Sequence, residues 1–175
     1  MEKKTINLKE PSFTQAINIS AEWCKEWEED LLSEEVLADR IAELIKTKNG
    51  RRGFFAYALS NKDCYLLDQL PFSLMFKLNE GGDPVVEIVV KNLIMSSAQI
   101  IIHRRENNNE FEINSENISD RCKGILRLLE TNSVTKNINQ ILKDLDNMGN
   151  SFDNSIKYDS EQKQFIKKQI LDIAQ

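Results

Sequence analysis

Residues 83–105, DPVVEIVVKNLIMSSAQIIIHRR, form the most apolar run of the chain and decide its fold. Asp83 followed by Pro84 reads as a helix start: the carboxylate can accept free amide hydrogens of the first turn, and proline at the first helical position gives up no bond. Glu87 and Lys91 stand four apart in the favourable orientation, and Arg104 with Arg105 complement the negative end of the helix dipole. At the helical period, Val86, Val89, Val90, Leu93, Ile94, Ile100 and Ile101 fill a broad apolar arc that other segments must cover. The fold class this predicts is mainly α, a single-domain helical bundle packed around a buried central helix at about residues 84–105.

The totals agree with that reading. A chain of 175 residues is the size of one domain and can bury a core without staples. Its hydrophobic share of 41% and charged share of 29% are those of a globular protein. A net charge of -5 argues against bulk binding to nucleic acid or anionic membrane, since both require a positive field. Cys24, Cys64 and Cys122 are far apart in sequence and show no metal-binding spacing, so they read as buried free thiols in a reducing compartment. The opening MEKKTINLKEP has no apolar core behind its lysines, which points to a cytoplasmic protein without a secretory signal. A transmembrane role for 83–105 would place Glu87, Lys91, Asn92 and Gln99 at membrane depth, so no transmembrane segment is expected.

Outward from the central run, residues 1–11 read as a flexible arm, 12–148 as the helical core domain, and 149–175 as a polar linker and C-terminal helix docked on that core. Ser12 and Gln15 make a capping box for a helix over 12–31, with Phe13, Ile17, Cys24, Trp27 and Leu31 at helical spacing. A second helix starts at Ser33 and is expected to stop at Asn49-Gly50. Residues 53–60 fit a strand or a helix, and helix is preferred. A short helix should follow Pro71 and end at Gly81-Gly82. Beyond the central run, 106–114 reads as a polar loop and Ser115-Glu116 as the opening of the next helix. Val134, Ile138, Ile141, Leu145 and Met148 form a seam of coiled-coil spacing, 149–155 breaks it, and Asp159 with Gln162 starts the last helix.

Two groups of residues could carry function. Asn92, Ser96, Gln99 and His103 recur at steps of four, three and four, so they would line one side of the central helix over about 16 Å. Histidine exchanges protons near neutral pH, but two helical turns separate Ser96 from His103, which is too far for a nucleophile–base pair. The stripe suits a groove whose amide and hydroxyl groups orient a polar ligand, while His103, Arg104 and Arg105, with Arg51 and Arg52, hold an anionic end. The bland alternative is a hydrogen-bonded seam against another helix, which the small Ser96, Ser97 and Ala98 would permit.

The second group lies on the first two helices. From Glu22 to Glu43 nine acidic residues face only Lys25 and Arg40, and Lys46, Lys48, Arg51 and Arg52 follow directly. This is a docking surface for a basic partner, with Glu28, Glu29 and Glu34 as its charges, or else two solvated helix faces. Trp27 falls on the apolar stripe and reads as core, so Trp23 at its edge is the expected contact residue. Glu22, Glu26 and Glu29 share a helical side, but the Glu-x-x-His elements of a di-iron bundle are missing, so no metal is expected. No nucleotide-binding, zincin or nucleophile-elbow motif occurs, and no cofactor and no catalytic residue are assigned.

GRRGFFAYALS at 50–60, VVKNLIMSSA at 89–98 and HRR at 103–105 together resemble an uncharacterised family of small cyanobacterial proteins, over roughly residues 20–130. The resemblance implies a bacterial cytoplasmic setting and brings no activity, cofactor or site residue. The function expected from the sequence is a non-catalytic protein-interaction or regulatory domain with a protein partner, and the chain could form a homodimer. The alternative is a binder of a small anionic ligand, or an enzyme, centred on His103 and the nearby arginines.

Overall fold

The computed structural model describes residues 10–146 and 157–174. Among them are eight α-helices and no strand: α1 (Phe13–Glu28), α2 (Glu34–Ile45), α3 (Lys48–Ser60), α4 (Phe72–Glu80), α5 (Asp83–Arg105), α6 (Asn109–Leu128), α7 (Thr131–Asp146) and α8 (Ser160–Leu171), closed by a 3-10 turn, Asp172–Ala174. The protein is thus a mainly α bundle, as its apolar periodicity requires. Its contacts cluster into two compact units, Met1–Ile88 and Val89–Gln175, and the division falls within α5. The expected arm over 1–11 and the break at 149–155 fall mostly or wholly outside the described residues, as does Met148.

In the first unit Ser12 caps α1 with the full capping box: its hydroxyl accepts from Gln15 N at 3.2 Å and Gln15 Oε1 accepts from Ser12 N at 2.8 Å. The helix ends at Glu28, three residues short of the expected 31. Asp30 N donates to Trp27 O (3.1 Å) and Leu31 N to Glu26 O (2.8 Å), with Asp30 in the left-handed region at φ 57°. This is a Schellman ending with aspartate where glycine is usual, which hides it from a search for glycine.

The expected stop at Asn49-Gly50 is also corrected. The chain breaks earlier, at Thr47, whose hydroxyl accepts from Gly50 N at 3.0 Å and donates to Leu44 O at 3.3 Å. Asn49 and Gly50 therefore sit in the first turn of α3. Gly50 is there because a Cβ would overlap the Leu44 carbonyl, so the glycine marks a close approach and not a helix end. Residues 53–60 are helical, and Gly53 lets α3 lie directly on α1 at Ala16.

Leu37, Ile41, Leu44, Phe54, Phe55, Leu59, Leu66, Leu74 and Leu78 are fully buried. Each contributes about 1.5–3 kcal/mol of transfer free energy. Gly82, at φ 63°, presents the carbonyl that accepts from Val85 N (3.0 Å) and Val86 N (3.3 Å), so Asp83 is the first helical residue of α5 and Pro84 the second.

In the second unit the expected loop over 106–114 shrinks to a tight corner. Asn107 N donates to Arg104 O and Asn108 N to His103 O, with Asn107 left-handed at φ 55°, and the Asn108 side chain accepts from Phe111 N to cap α6. The three asparagines close one helix and open the next, because asparagine tolerates the left-handed region and caps well. Helix α6 accordingly begins at Asn109, six residues before Ser115.

At α8, Asp159 and Gln162 form the expected capping box. The Gln162 amide also reaches the Ala98 carbonyl of α5 at 3.3 Å. Ile166 and Ile170 of α8 are buried, together with Val89, Val90, Leu93, Ile100, Ile101, Cys122, Ile125 and Ile141. By length and composition α5 could cross a bilayer, with mean hydropathy 1.7, and 61% of that window is buried inside the protein.

Candidate functional site

The corner between α1 and α2 forms one wall of an open cleft of about 600 Å³. The Schellman ending turns the chain at Asp30, and Ser33 then caps α2 by accepting from Val36 N at 3.4 Å. This brings Trp27, Glu28, Asp30, Leu32, Ser33 and Glu34 to one cavity. The other wall is the segment between α3 and α4, where Asp68 N and Gln69 N both donate to Tyr65 O at 3.1 Å. Buried Leu66 and Leu67 anchor that turn and leave Tyr65 exposed beside Gln69 on the cleft.

Among the described residues the lining holds three carboxylates and no lysine or arginine. Among the described residues Glu28, Asp30 and Glu34 take part in no ion pair, whereas nearby cations are committed elsewhere. Lys25 pairs with Glu29 at 3.8 Å, and Arg40 Nη1 reaches Glu26 at 3.0 Å. The Arg40 guanidinium also lies 5.7 Å from the Trp23 ring centroid.

Below this corner Cys24 is buried, with its thiol in a hydrogen bond to the Cys64 thiol. That bond and burial push the Cys24 pKa far above the usual thiol range. Burial likewise raises Tyr57, next to the same thiols.

Of the acidic candidates, Glu28 and Glu34 line the cleft, while Glu29 is the C-cap of α1 and pairs with Lys25. Trp27, expected in the core, is half-buried and lines the cleft; Trp23 is half-buried too, with Arg40 over its ring. Sequence reasoning missed Asp30, Leu32, Ser33, Tyr65 and Gln69 as site residues. Ser33 carried a signal as a helix cap, but nothing local in the sequence pairs Tyr65 with α1.

The stripe on α5 is not a uniform groove. Ser96 is buried and donates its hydroxyl to Leu93 O at 3.1 Å, Asn92 is half-buried, and Gln99 is exposed. His103 packs against Phe111, ring centroids 5.5 Å apart. Its Nδ1 is buried without a hydrogen bond and lies 3.8 Å from Glu106 Oε2.

The two arginines expected to hold an anion are already neutralised. Arg104 Nε donates to Glu112 at 2.7 Å and Nη2 lies 3.5 Å from Glu116, while Arg105 grips Asp159 at 2.7 Å and also pairs with Glu161. The Arg105 bond holds the Asp159 carboxyl down to about 2. Arg51 and Arg52 belong to the first unit. Arg51 donates to the Ile45 carbonyl at 2.8 Å, closing the end of α2, and Arg52 lies 5.1 Å from the Phe13 ring.

Among the described residues no group of three or more histidine, cysteine or acidic side chains is placed to hold a metal. Fold and cleft together describe an all-helical module with an acidic, aromatic-walled surface. The chain belongs to the family described as Uncharacterised conserved protein UCP020893, whose model matches residues 12–173. That span is wider than the 20–130 expected and takes in the C-terminal helix. No curated protein and no solved structure matches the chain.

Proposed function

We propose that this protein is a non-catalytic interaction module that docks a basic segment of a protein partner on the acidic cleft between α1, α2 and the Tyr65 turn. The observation that carries this reading is the set of three carboxylates, Glu28, Asp30 and Glu34, gathered on one cavity without an ion pair among the described residues. Like charges held together repel one another, and a cationic partner relieves that repulsion while gaining its own pairs. Asp30, the left-handed residue that ends α1, brings its carboxylate to this cavity.

The anionic-ligand reading around His103 has less support, because Arg104 and Arg105 already face carboxylates. The reading takes α5 as a core helix and places the protein in a bacterial, cyanobacterial cytoplasm, in keeping with three buried free thiols.

The test is affinity capture from native lysate with the wild type, with the charge reversals Glu28→Lys, Glu29→Lys and Glu34→Lys, and with His103→Ala. The reversals should release the specifically captured proteins, and His103→Ala should retain them. If every captured protein survives the reversals, the docking surface is wrong.

A further inference from the structure

We infer that the cleft is built to take an arginine side chain of the basic segment, stacked on Trp27 and Tyr65 and held by Glu34 with Glu28 or Asp30. This deepens the docking reading and rests on it. A filled version of the same chemistry lies one helical turn away. Trp23 and Trp27 stand four apart on α1, so they project from neighbouring turns of one helix. Trp23 already has its cation: Arg40 lies over the ring at 5.7 Å while pairing with Glu26 at 3.0 Å. Trp27 lines a cavity that supplies a second aromatic residue, Tyr65, and three carboxylates, yet among the described residues no cation lines it. The unit therefore holds one aromatic–arginine–carboxylate arrangement completed internally and, one turn on, the same residue types around a cavity with no cation among the described residues.

Arginine fits better than lysine for two reasons. Its planar guanidinium stacks on aromatic faces and forks onto a carboxylate, and it is more weakly hydrated than an ammonium, so it enters a half-apolar cleft at lower cost. The cleft offers both kinds of wall: Trp27, Leu32 and Tyr65 present apolar surface, and Ser33 and Gln69 add neutral polar groups.

The experiment is a titration of the full chain with N-acetyl-arginine amide, followed at the two tryptophan indole N–H signals by NMR. N-acetyl-citrulline amide and N-acetyl-lysine amide serve as neutral and ammonium counterparts. The arginine probe should shift Trp27 and leave Trp23 in place, citrulline should have no effect, and lysine should bind about threefold more weakly or worse. Because a change at Trp27 could disturb folding, the variants are the exposed Tyr65→Leu and Glu34→Gln, each weakening the arginine probe by about threefold.

Equal shifts with citrulline, tighter binding of lysine, or shifts at Trp23 alone would overturn the arginine site. If no probe moves Trp27 while an octaarginine peptide still binds in a manner that depends on Glu28 and Glu34, the inference fails and the docking reading stands. If octaarginine does not bind either, both fail.

Discussion

Arg40 lies over Trp23, its guanidinium carbon 5.7 Å from the ring centroid, and ties α2 to α1 through that ring. The same guanidinium pairs with Glu26, and both charged side chains are more than a third exposed. Exposed cation–π contacts and exposed ion pairs are each worth well under 1–2 kcal/mol. Arg40→Ala should therefore destabilise the fold by only about 1 kcal/mol in chemical denaturation. It should also expose Trp23 to acrylamide, visible as stronger fluorescence quenching.

Gly53 allows the close approach of α3 to α1, since a Cβ there would overlap that of Ala16 and crowd its backbone. Ala16 is fully buried and has no flexible end to move aside. Gly53→Ala is expected to cost about 1–3 kcal/mol in denaturant unfolding, although alanine is the better helix former.

Asp30 should show the opposite sign. It occupies a left-handed position that glycine adopts freely, so Asp30→Gly should raise stability by about 1 kcal/mol in the same assay. By removing a cleft carboxylate it should also weaken binding of a basic peptide. A variant that is more stable and binds less well is the expected outcome if the carboxylate is there for binding and not for the turn.

The hold on α8 depends on acid. Hydrogen bonds from Arg105 depress the Asp159 carboxyl from its ordinary 3.8 to about 2. A depressed carboxyl contributes stability that is complete above its unfolded value and disappears as pH falls through its folded value. Anchoring of α8 should thus be unchanged from neutral pH to about 4 and weaken between about 4 and 2. Hydrogen exchange of the Ile166 and Ile170 amides against pH checks this. Arg105→Gln should reduce that dependence but leave the part due to the backbone amide of Gln162, which also holds the Asp159 carboxyl down.

The three thiols should be silent in the native protein. Cys24 is held by Cys64 and by burial, Cys122 by burial alone, and both pKa values move well above the thiol range. Iodoacetamide at neutral pH should label none of the three before unfolding and all of them afterwards, as counted by mass spectrometry.

How far the sequence was legible follows from where the determining contacts lie. Helix α5 spans Asp83–Arg105, one residue longer at its start than the 84–105 read from its apolar run, and α8 begins at Asp159 and Gln162 because both signals are local. The corners were misread wherever a residue played an unusual part. Asp30 stands at a glycine position, Asn107, Asn108 and Asn109 compress a loop into a corner, and Gly50 marks a close approach.

The cleft was half legible. Glu28 and Glu34 stood out as charges, but Tyr65 joins them only through folding, and helical periodicity alone could not reveal that Arg40 covers Trp23 and not Trp27.

The central claim is that the cleft carboxylates dock a cationic partner, and fluorescence anisotropy of a labelled octaarginine peptide tests it most directly. The double reversal Glu28→Lys with Glu34→Lys should weaken binding by about tenfold, or about 1.4 kcal/mol. A control with the same charge change outside the cleft, Glu22→Lys with Glu43→Lys, should change it by less than about threefold. Equal losses from the two pairs, or no loss from the first, would contradict the account.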